Sequence, residues 1–263
     1  MSRLREIKAR IYGIREIEEI TNAVKLVAVV RLKNMESKVL QGREYAQKIK
    51  ELAIDVFKSQ ERREQREGGS GLLVISSQTG LCGGFNERVK ERTEEFIHTH
   101  SISEMIVVGR KGVQYFKRKG YPLIKEYSAW QRGKEEEVSK QVARDIFSLY
   151  QQRRWKEVYF IYSKFRDSKE KVEICKLLPL QVERVHKEEF LFEPFPERII
   201  EELLPQYILA QIRQGLGESR CAEEWERIRA MEYASENADK LVEELSREFN
   251  RARQNAITRE IYG

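Results

Sequence analysis

Apolar residues return every three or four positions through the first part of this chain, with polar residues between them. The repeat comprises Leu4, Ile7, Ile11, Ile14, Ile17, Ile20, Val24 and Val27. Such spacing brings one residue of each turn to the same narrow side of an α-helix. Because the average step is shorter than a full helical turn, the stripe winds slowly around the helix axis, as in a left-handed supercoil. The pattern therefore predicts an N-terminal coiled-coil helix.

A second stripe of the same kind lies near the other end of the chain. It comprises Trp225, Ile228, Met231, Ala234 or Ser235, Ala238, Leu241, Leu245, Phe249 and Ala252. Its small residues would let a partner backbone come close. Since the two ends of one chain must meet across whatever lies between them, the arrangement favoured is an antiparallel pair. We expect its seam to include Ile7, Ile11, Met231 and Leu245.

Glycine and proline mark the limits of these two helices. No proline precedes Pro122 or follows Pro205, and residues 218–262 contain neither glycine nor proline. Both residue types disfavour helix interiors, so their absence favours long uninterrupted helices. An N-terminal helix of about 58 residues would be roughly 85 Å long. We assign residues 1–67 and 206–263 to the coiled coil, and residues 68–205 to a domain between them.

The middle of the chain alternates between short apolar runs and helical stretches. Extended runs are expected at 71–77, 105–108, 121–127, 158–162 and 172–180, with helices at about 86–99, 112–119 and 135–152. Strands that alternate with helices typically form a mostly parallel sheet covered on both faces. The predicted fold class is therefore α/β: a Rossmann-like, mostly parallel domain plus a long antiparallel coiled coil of the N- and C-terminal helices. The Gly-Gly-Ser-Gly segment at 68–71 is expected to be the hinge before this domain.

Charge and hydropathy exclude several classes of function. The apolar run at 26–30 is bracketed by Lys25 and Arg31, so it is too short to span a membrane. The net charge is +6, but residues 1–58 hold thirteen Lys and Arg against eight Asp and Glu, whereas residues 218–263 hold eight against eleven. These opposite net charges favour pairing of the two helices over a shared phosphate track, and no aromatic residues are interleaved for base stacking. We therefore expect no nucleic-acid partner.

Cysteine and histidine usage argues against a metal centre or a disulfide framework. Cys82, Cys175 and Cys221 are far apart, odd in number and form no Cys-x-x-Cys pair, which indicates reduced structural thiols. His98 and His100 are two residues apart, a spacing that points away from a single helical face. The expectation is a chain that binds neither a metal ion nor a cofactor.

A glycine-rich loop follows the first predicted strand, at the place where a phosphate-binding loop would lie. It consists of Gly80, Leu81, Cys82, Gly83 and Gly84, with Asn86 shortly after. The loop matches neither G-x-G-x-x-G nor G-x-x-x-x-G-K-[ST], so a tight strand-to-helix turn, with Asn86 near the helix cap, is the favoured interpretation. Cys82 has no evident His or carboxylate companion that would make it a nucleophile. The sequence thus offers no credible active site, and it favours a mechanical role.

Several motifs recur in a fixed order along almost the whole chain. They are residues 4–11 and 19–28, the loop at 80–86, the short segments at 177–179 and 192–194, and a C-terminal pattern of Glu223, Arg227 and residues 230–231, 234–235, 237–238 and 250–261. Together these motifs resemble the gamma subunit of F-type ATP synthases. One such motif would be weak, whereas an ordered series over 263 residues is specific.

The resemblance implies a non-catalytic central rotor stalk. Its coiled coil lies inside a ring of alternating alpha and beta subunits, and its domain rests on the c-ring beside the epsilon subunit, peripheral to the cytoplasmic face of a bacterial or archaeal membrane. Ion flow turns the stalk and drives ATP synthesis at the beta subunits, and hydrolysis reverses the rotation. The resemblance also implies that Arg253, Gln254 and Thr258 contact beta-subunit loops. Arg5 and Arg10, which lie beside the seam, would face acidic stator loops.

Three interpretations stay open at this point. The rotor could belong to a standard synthase or to a divergent ion-pumping version, since Val24 and Gln78 stand where the family usually has Met and Asp. A coiled-coil adaptor would keep the helices and the domain but would explain none of the ordered motifs. A Rossmann-like enzyme would need a ligand site, which the glycine-rich loop does not supply.

Overall fold

The computed structural model of the chain describes residues 2–58, 67–130, 133–166, 169–180 and 196–262. The motif at 192–194 lies outside these ranges. In chain order the elements are α1 (Ser2–Lys58), β1 (Gly69–Ile75), α2 (Phe85–Thr99), β2 (Ile102–Val108), α3 (Arg110–Arg118), β3 (Leu123–Tyr127), α4 (Glu135–Gln151), β4 (Trp155–Arg166), β5 (Lys169–Leu178) and α5 (Pro196–Tyr262). Each strand and helix predicted for the middle of the chain is confirmed, with its ends shifted by a few residues.

The five strands form one sheet in the order β3-β2-β1-β4-β5. β1 pairs in parallel with β2 and with β4, β2 pairs in parallel with β3, and only β5 is antiparallel to its neighbour. The predicted mostly parallel sheet is therefore confirmed. Because β2 and β4 lie on opposite sides of β1, the chain reverses its winding direction between β1 and β4, which makes this position the topological switch point of the sheet.

Helices cover both faces of this sheet. On one face Leu73, Ile106 and Phe160 join a core with buried residues of α4, the last turns of α1 and the first half of α5. Successive residues of a strand point to opposite faces, so Leu72, Val74, Met105 and Val107 point to the other face, where α2 and α3 pack. This two-sided burial explains why the strands read as continuous apolar runs.

The expected hinge at 68–71 is wrong, because Gly69, Ser70 and Gly71 belong to β1. A side-chain carbon added to Gly71 would lie only 2.2 Å from Cδ2 of Trp155, a fully buried indole. Gly71 is therefore needed for close packing in the sheet. Composition alone does not show whether a glycine serves close packing or flexibility.

The chain divides into two compact units. The first, called here the hairpin unit, comprises Met1–Leu32, Leu81–Gly83 and Glu224–Gly263. The second, the sheet unit, comprises Lys33–Gly80 and Gly84–Glu223. α5 begins at Pro196 rather than near residue 206, and it continues through Pro205. Within the described ranges, no helix combines the length and the apolar character that crossing a membrane requires.

Candidate functional site

In the hairpin unit, α1 and α5 pair in antiparallel orientation. The contacting pairs are Arg3 Nη2 with Glu248 Oε1 at 2.8 Å, Thr21 Oγ1 with Ser235 Oγ at 2.8 Å, and Arg31 Nη1 with Glu224 Oε1 at 3.9 Å. As the residue number rises along α1, the number of its partner falls along α5 by a similar amount. The antiparallel arrangement predicted from the two stripes is therefore confirmed.

The seam of this pair follows a strict heptad. On α1 the buried or half-buried positions include Leu4, Ile7, Ile11, Ile14, Glu18, Thr21, Lys25, Ala28 and Leu32. On α5 they include Ile228, Met231, Ser235, Ala238, Val242, Leu245, Phe249, Ala252 and Ala256. Steps of three and four alternate without a break, as coiled-coil packing requires. Of the seam residues named from the sequence, the structure buries Ile7 and Met231 and half-buries Ile11 and Leu245.

Part of the predicted stripe is wrong. Ile17, Ile20 and Val27 are 57%, 63% and 46% exposed, and on α5 Leu241 is 48% exposed. The predicted stripe took three consecutive steps of three residues after Ile11, so it fell behind the average of 3.5 residues that holds two helices in contact. The seam instead passes through neighbouring polar and small residues, which an apolar pattern does not reveal.

A buried polar layer interrupts the apolar seam at Thr21 and Ser235. The Thr21 hydroxyl donates to the backbone oxygen of Glu18 at 2.9 Å and accepts from the Ser235 hydroxyl, which also has Oδ1 of Asn22 as a second acceptor at 3.2 Å. Both hydroxyl groups are thereby satisfied. Since a polar pair finds its partner in one register only, this layer favours a single alignment of the two helices.

The glycine-rich loop forms the tight turn expected from its sequence. In the hairpin unit, Leu81 and Gly83 adopt left-handed backbone conformations, with φ of 60° and 51°. Cys82 is 2% exposed, whereas the Leu81 side chain is 67% exposed. A side-chain carbon on Gly83 would lie 3.6 Å from Cβ of Ala230, so α5 passes directly beside this turn.

Asn86 ties α2 to the end of β1 instead of capping the helix. The N-cap of α2 is Gly84, and no side chain caps it. The Asn86 amide nitrogen donates to Oγ of Ser77 at 2.8 Å, and its Oδ1 accepts from the Ser77 backbone at 3.2 Å. This pair of hydrogen bonds fixes the start of α2 over the carboxyl end of β1. Gly80, the first loop residue, lies close to the Lys111 side chain.

In the sheet unit, α5 occupies the crevice in which doubly wound folds hold their ligands. Ligands of such folds bind outside the carboxyl ends of the strands, at the switch point. Here the backbone nitrogen of Ser163, in β4, donates to Oγ of Ser219 at 3.0 Å. Thr79, in the turn after β1, donates to Oε1 of Glu223 at 3.4 Å. Residues of α5 thus make the contacts that a ligand would make elsewhere.

Arg220 is buried beside these contacts, with 4% of its surface exposed. Its Nη1 lies 2.8 Å from Oε2 of Glu223, and its Nε lies 3.8 Å from Oε1 of Glu135 in the first turn of α4. Its guanidinium carbon lies 5.5 Å from the ring centre of Trp130, a cation–π distance. The charge is therefore compensated on several sides, as a buried arginine requires.

Sequence reasoning missed Ser219 and Arg220 and noted Glu223 only as part of a motif. The structure buries six charged side chains between residues 218 and 227, each at most 7% exposed. In the sequence these charges are spread around the helix and leave no polar face distinct from an apolar one, and that spread was the signal. Opposite charges three residues apart within this stretch, as in Arg220 with Glu223 and Arg227 with Glu224, indicate ion pairs made inside the protein.

None of the three cysteines is in a disulfide; Cys82 and Cys221 are buried and Cys175 is exposed. Burial, followed by the negative charges of Glu36 and Glu218, raises the pKa of the Cys221 thiol to about 12. Such a thiol is protonated and unreactive at neutral pH. Among the described residues, no three His, Cys, Asp or Glu side chains are grouped so as to hold a metal ion.

The residues expected to contact other subunits lie on exposed helix surfaces of the hairpin unit. Arg253, Gln254 and Thr258 are exposed on α5, and the Thr258 hydroxyl donates to the backbone oxygen of Gln254 at 3.0 Å. On α1, Arg5 is exposed and Arg10 pairs with Glu6 at 2.9 Å. Their role in subunit contacts stays a prediction.

Fold and site together define a class: a protein with a long antiparallel helix pair and a doubly wound domain whose ligand crevice is filled by its own helix. The family model described as ATP synthase matches residues 3–262. The ATP synthase gamma chain of Salinibacter ruber is 32% identical over 99% of this chain and 96% of that protein, and the gamma chain of Desulfitobacterium hafniense is 33% identical over the same shares. The chain belongs to the ATP synthase gamma-chain family, as its motifs predicted.

Solved structures of low identity share the fold. A chain in the central stalk and c-ring structure of the Tetrahymena thermophila mitochondrial ATP synthase is 24% identical, covers 82% of this chain and 99% of its own, and superposes with a TM-score of 0.62. A chain in the rotor structure of the Euglena gracilis mitochondrial ATP synthase is 16% identical and superposes with a TM-score of 0.67. The match covers 97% of this chain and 99% of the Euglena chain.

Proposed function

We propose that this chain is the central rotor stalk of an F-type ATP synthase, in which it couples rotation of the c-ring to ATP synthesis or hydrolysis at the beta subunits. The observation that carries this proposal is the antiparallel pairing of α1 and α5, two helices of 57 and 67 residues. Paired helices that are held by a heptad seam resist twisting and bending, which a rotating shaft requires. Membership of the ATP synthase gamma-chain family supports the ATP synthase as the complex in which such a shaft works.

The proposal includes the partners. Alpha and beta subunits would surround the paired helices, while residues 68–205 would contact the c-ring and the epsilon subunit. The complex would hold the chain at the periphery of the membrane, on the cytoplasmic side of a bacterial or archaeal cell. Arg5, Arg10 and the group of Arg253, Gln254 and Thr258 would face stator loops, where exposed polar side chains give contacts that salt screens and that do not fix one rotational angle.

A stalk of this kind has no active site of its own, and the sheet unit supports that view. The crevice that would hold a nucleotide in a related fold is filled by Ser219 and Glu223. The loop before α2 carries no lysine to reach a phosphate. A Rossmann-like enzyme would need an open crevice and a lysine in this loop.

Reconstitution tests this function. The isolated chain should hydrolyse no ATP, whereas alpha and beta subunits should gain coupled, rotating turnover when the chain is added. Rotation is observed by a bead attached to the chain, and hydrolysis by phosphate release. Robust hydrolysis by the pure chain, abolished by replacing Gly83 or Gly84, would contradict the rotor assignment.

A further inference from the structure

We propose that Ser219, Arg220 and Glu223 act as positioning residues that prevent α5 from turning about its own axis within the sheet unit, and that torque enters the shaft through them. These three residues are called the α5 interlock. The proposal rests on the rotor function and adds to it the place where the domain grips the helix.

The contacts of the α5 interlock come from four separate parts of the sheet unit. Ser219 accepts from β4, Glu223 accepts from the turn after β1, and Arg220 meets the first turn of α4 and the indole that follows β3. Hydrogen bonds weaken steeply when their angle or distance changes, and a buried ion loses its compensation when its partner moves away. Because the bonds reach α5 from different directions, rotation of the helix in either sense would break some of them.

Apolar packing alone would not give this resistance. Dispersion contacts are non-directional, and a smooth apolar helix surface can exchange one set of neighbours for a similar set after a small turn. Arg220 and Glu223 cannot do so. They are paired with each other on α5 and would turn together, but the turn would take Arg220 away from Glu135 and Trp130 and would take Glu223 away from Thr79. Buried charges that lose such partners are left without compensation. The burial of Arg220 and Glu223, at 4% and 1% exposure, therefore makes them effective stops against rotation.

The preceding turn of α5 adds a steric stop. A side-chain carbon on Gly215 would lie 2.3 Å from Cζ of Phe160 and 3.2 Å from Cγ of Tyr162. At this point the helix backbone touches the side chains of β4 directly. Rotation of α5 about its axis would drive the side chain of Gln214 or of Leu216 against these two rings.

The chain offers a matched control in Arg213. Both Arg213 and Arg220 lie on α5, seven residues apart and hence on nearly the same side of the helix. Each contacts a glutamate in the first turn of α4, Glu136 for Arg213 and Glu135 for Arg220. The side chain of Arg213 is 47% exposed, whereas that of Arg220 is 5% exposed. Only the buried pair is expected to carry torque, because water screens the exposed one.

The test uses complete synthase complexes in lipid vesicles, built with the wild-type chain, Arg220→Ala or Arg213→Ala. The measured quantity is the ratio of ions pumped, as proton or sodium-ion uptake, to ATP hydrolysed. We expect Arg220→Ala to lower this ratio by a factor of about 2 to 30, the range seen when residues that couple two sites are altered. Arg213→Ala should keep the wild-type ratio, and Arg220→Lys should fall between the two.

Two further measurements separate positioning from folding. Glu223→Gln, which keeps the size of the side chain but removes its charge, should lower the ratio in the same direction as Arg220→Ala. A lower melting temperature of the isolated variant chain with an unchanged pumping ratio in the complex would overturn the interlock, because the residues would then only stabilise the fold. Failure of both variants to assemble, while Arg213→Ala assembles, would count against it for the same reason. If wild-type complexes themselves show no coupling, the rotor function fails instead.

Discussion

At the scale of single residues, the glycines of this chain differ sharply in what they permit. Gly13, inside α1, has no atom beyond its chain neighbours and the adjacent helix backbone within 4 Å of the position that a side-chain carbon would take. Gly215, inside α5, has the buried ring of Phe160 in that position. One residue type thus serves no packing purpose at the first site and a strict one at the second.

The two positions predict opposite effects of the same substitution. Gly215→Ala should lower the free energy of unfolding by about 1–3 kcal/mol, because the added methyl group overpacks a filled core. Gly13→Ala should raise it by up to about 1 kcal/mol, since alanine is the better helix former and nothing obstructs it. Urea denaturation of the isolated chain, followed by circular dichroism, measures both. Stabilisation by both substitutions would show that the close approach of α5 to Phe160 is not a constraint.

At the scale of elements, the polar layer of the seam makes a prediction about register. Replacing Thr21 with Val and Ser235 with Ala together should change the stability by less than about 1 kcal/mol, because both partners of the hydrogen bond are removed at once. The register should then become less unique, since the remaining seam positions, apart from Glu18 and Lys25, are apolar and similar in each heptad.

Cysteine cross-linking measures that register. In a chain whose native cysteines are replaced by serine, a cysteine at position 11 should pair with one partner between 245 and 256 only. In the apolar variant the cross-links should spread to a position one heptad away. Thr21→Ser, which keeps the hydroxyl group, is the control and should retain the single pairing. Cross-links that never form in this region would refute the pairing of the helix ends.

The sequence predicted the elements well where their signal is local. β1 and β4 are buried on both faces, so their apolar runs were unambiguous, and α1 contains no proline and only two glycines. The seam was less predictable, because Ile17 and Ile20 look more like seam residues than Glu18 and Thr21 do. Which side of α1 is covered depends on the path of α5, and that path is a property of the folded chain.

The crevice at the end of β1 was the least predictable part. The spacing of Arg220 and Glu223 indicates an ion pair, but no local pattern says that α5 will lie across the sheet edge or which distant residues it will meet there. The burial of this pair follows from contacts with Thr79, Trp130 and Glu135, which are far away in sequence. Such non-local contacts leave no periodic signal.

At the scale of the whole molecule, the C-terminal end of α5 predicts how the stalk meets its stator. Replacing Arg253, Gln254 and Thr258 with Ala should lower coupled turnover in assembled complexes by about fivefold or more, the effect of losing roughly 1 kcal/mol at a contact. Their side chains are exposed, so the helix itself should stay folded. Phosphate release and ion uptake measure turnover, and circular dichroism of the isolated chain measures helix content.

A contrasting variant separates lost contacts from a lost helix pair. Ile7→Asp combined with Ile11→Asp places two charges in the seam, so it should splay the helix ends and reduce assembly while the sheet stays folded. If the triple alanine variant pumps and hydrolyses like the wild type, the three residues are not stator contacts.

The filled crevice has a consequence for how this protein responds to its surroundings. A dissociable ligand occupies its site only to the extent that its concentration allows, whereas a group on the same chain is present at a fixed and high effective concentration. Ser219 and Glu223 are such tethered groups, held in place by α5 itself. The contacts between the sheet unit and α5 therefore do not vary with the nucleotide concentration in the cell, even though the ATP synthase itself consumes and produces nucleotides.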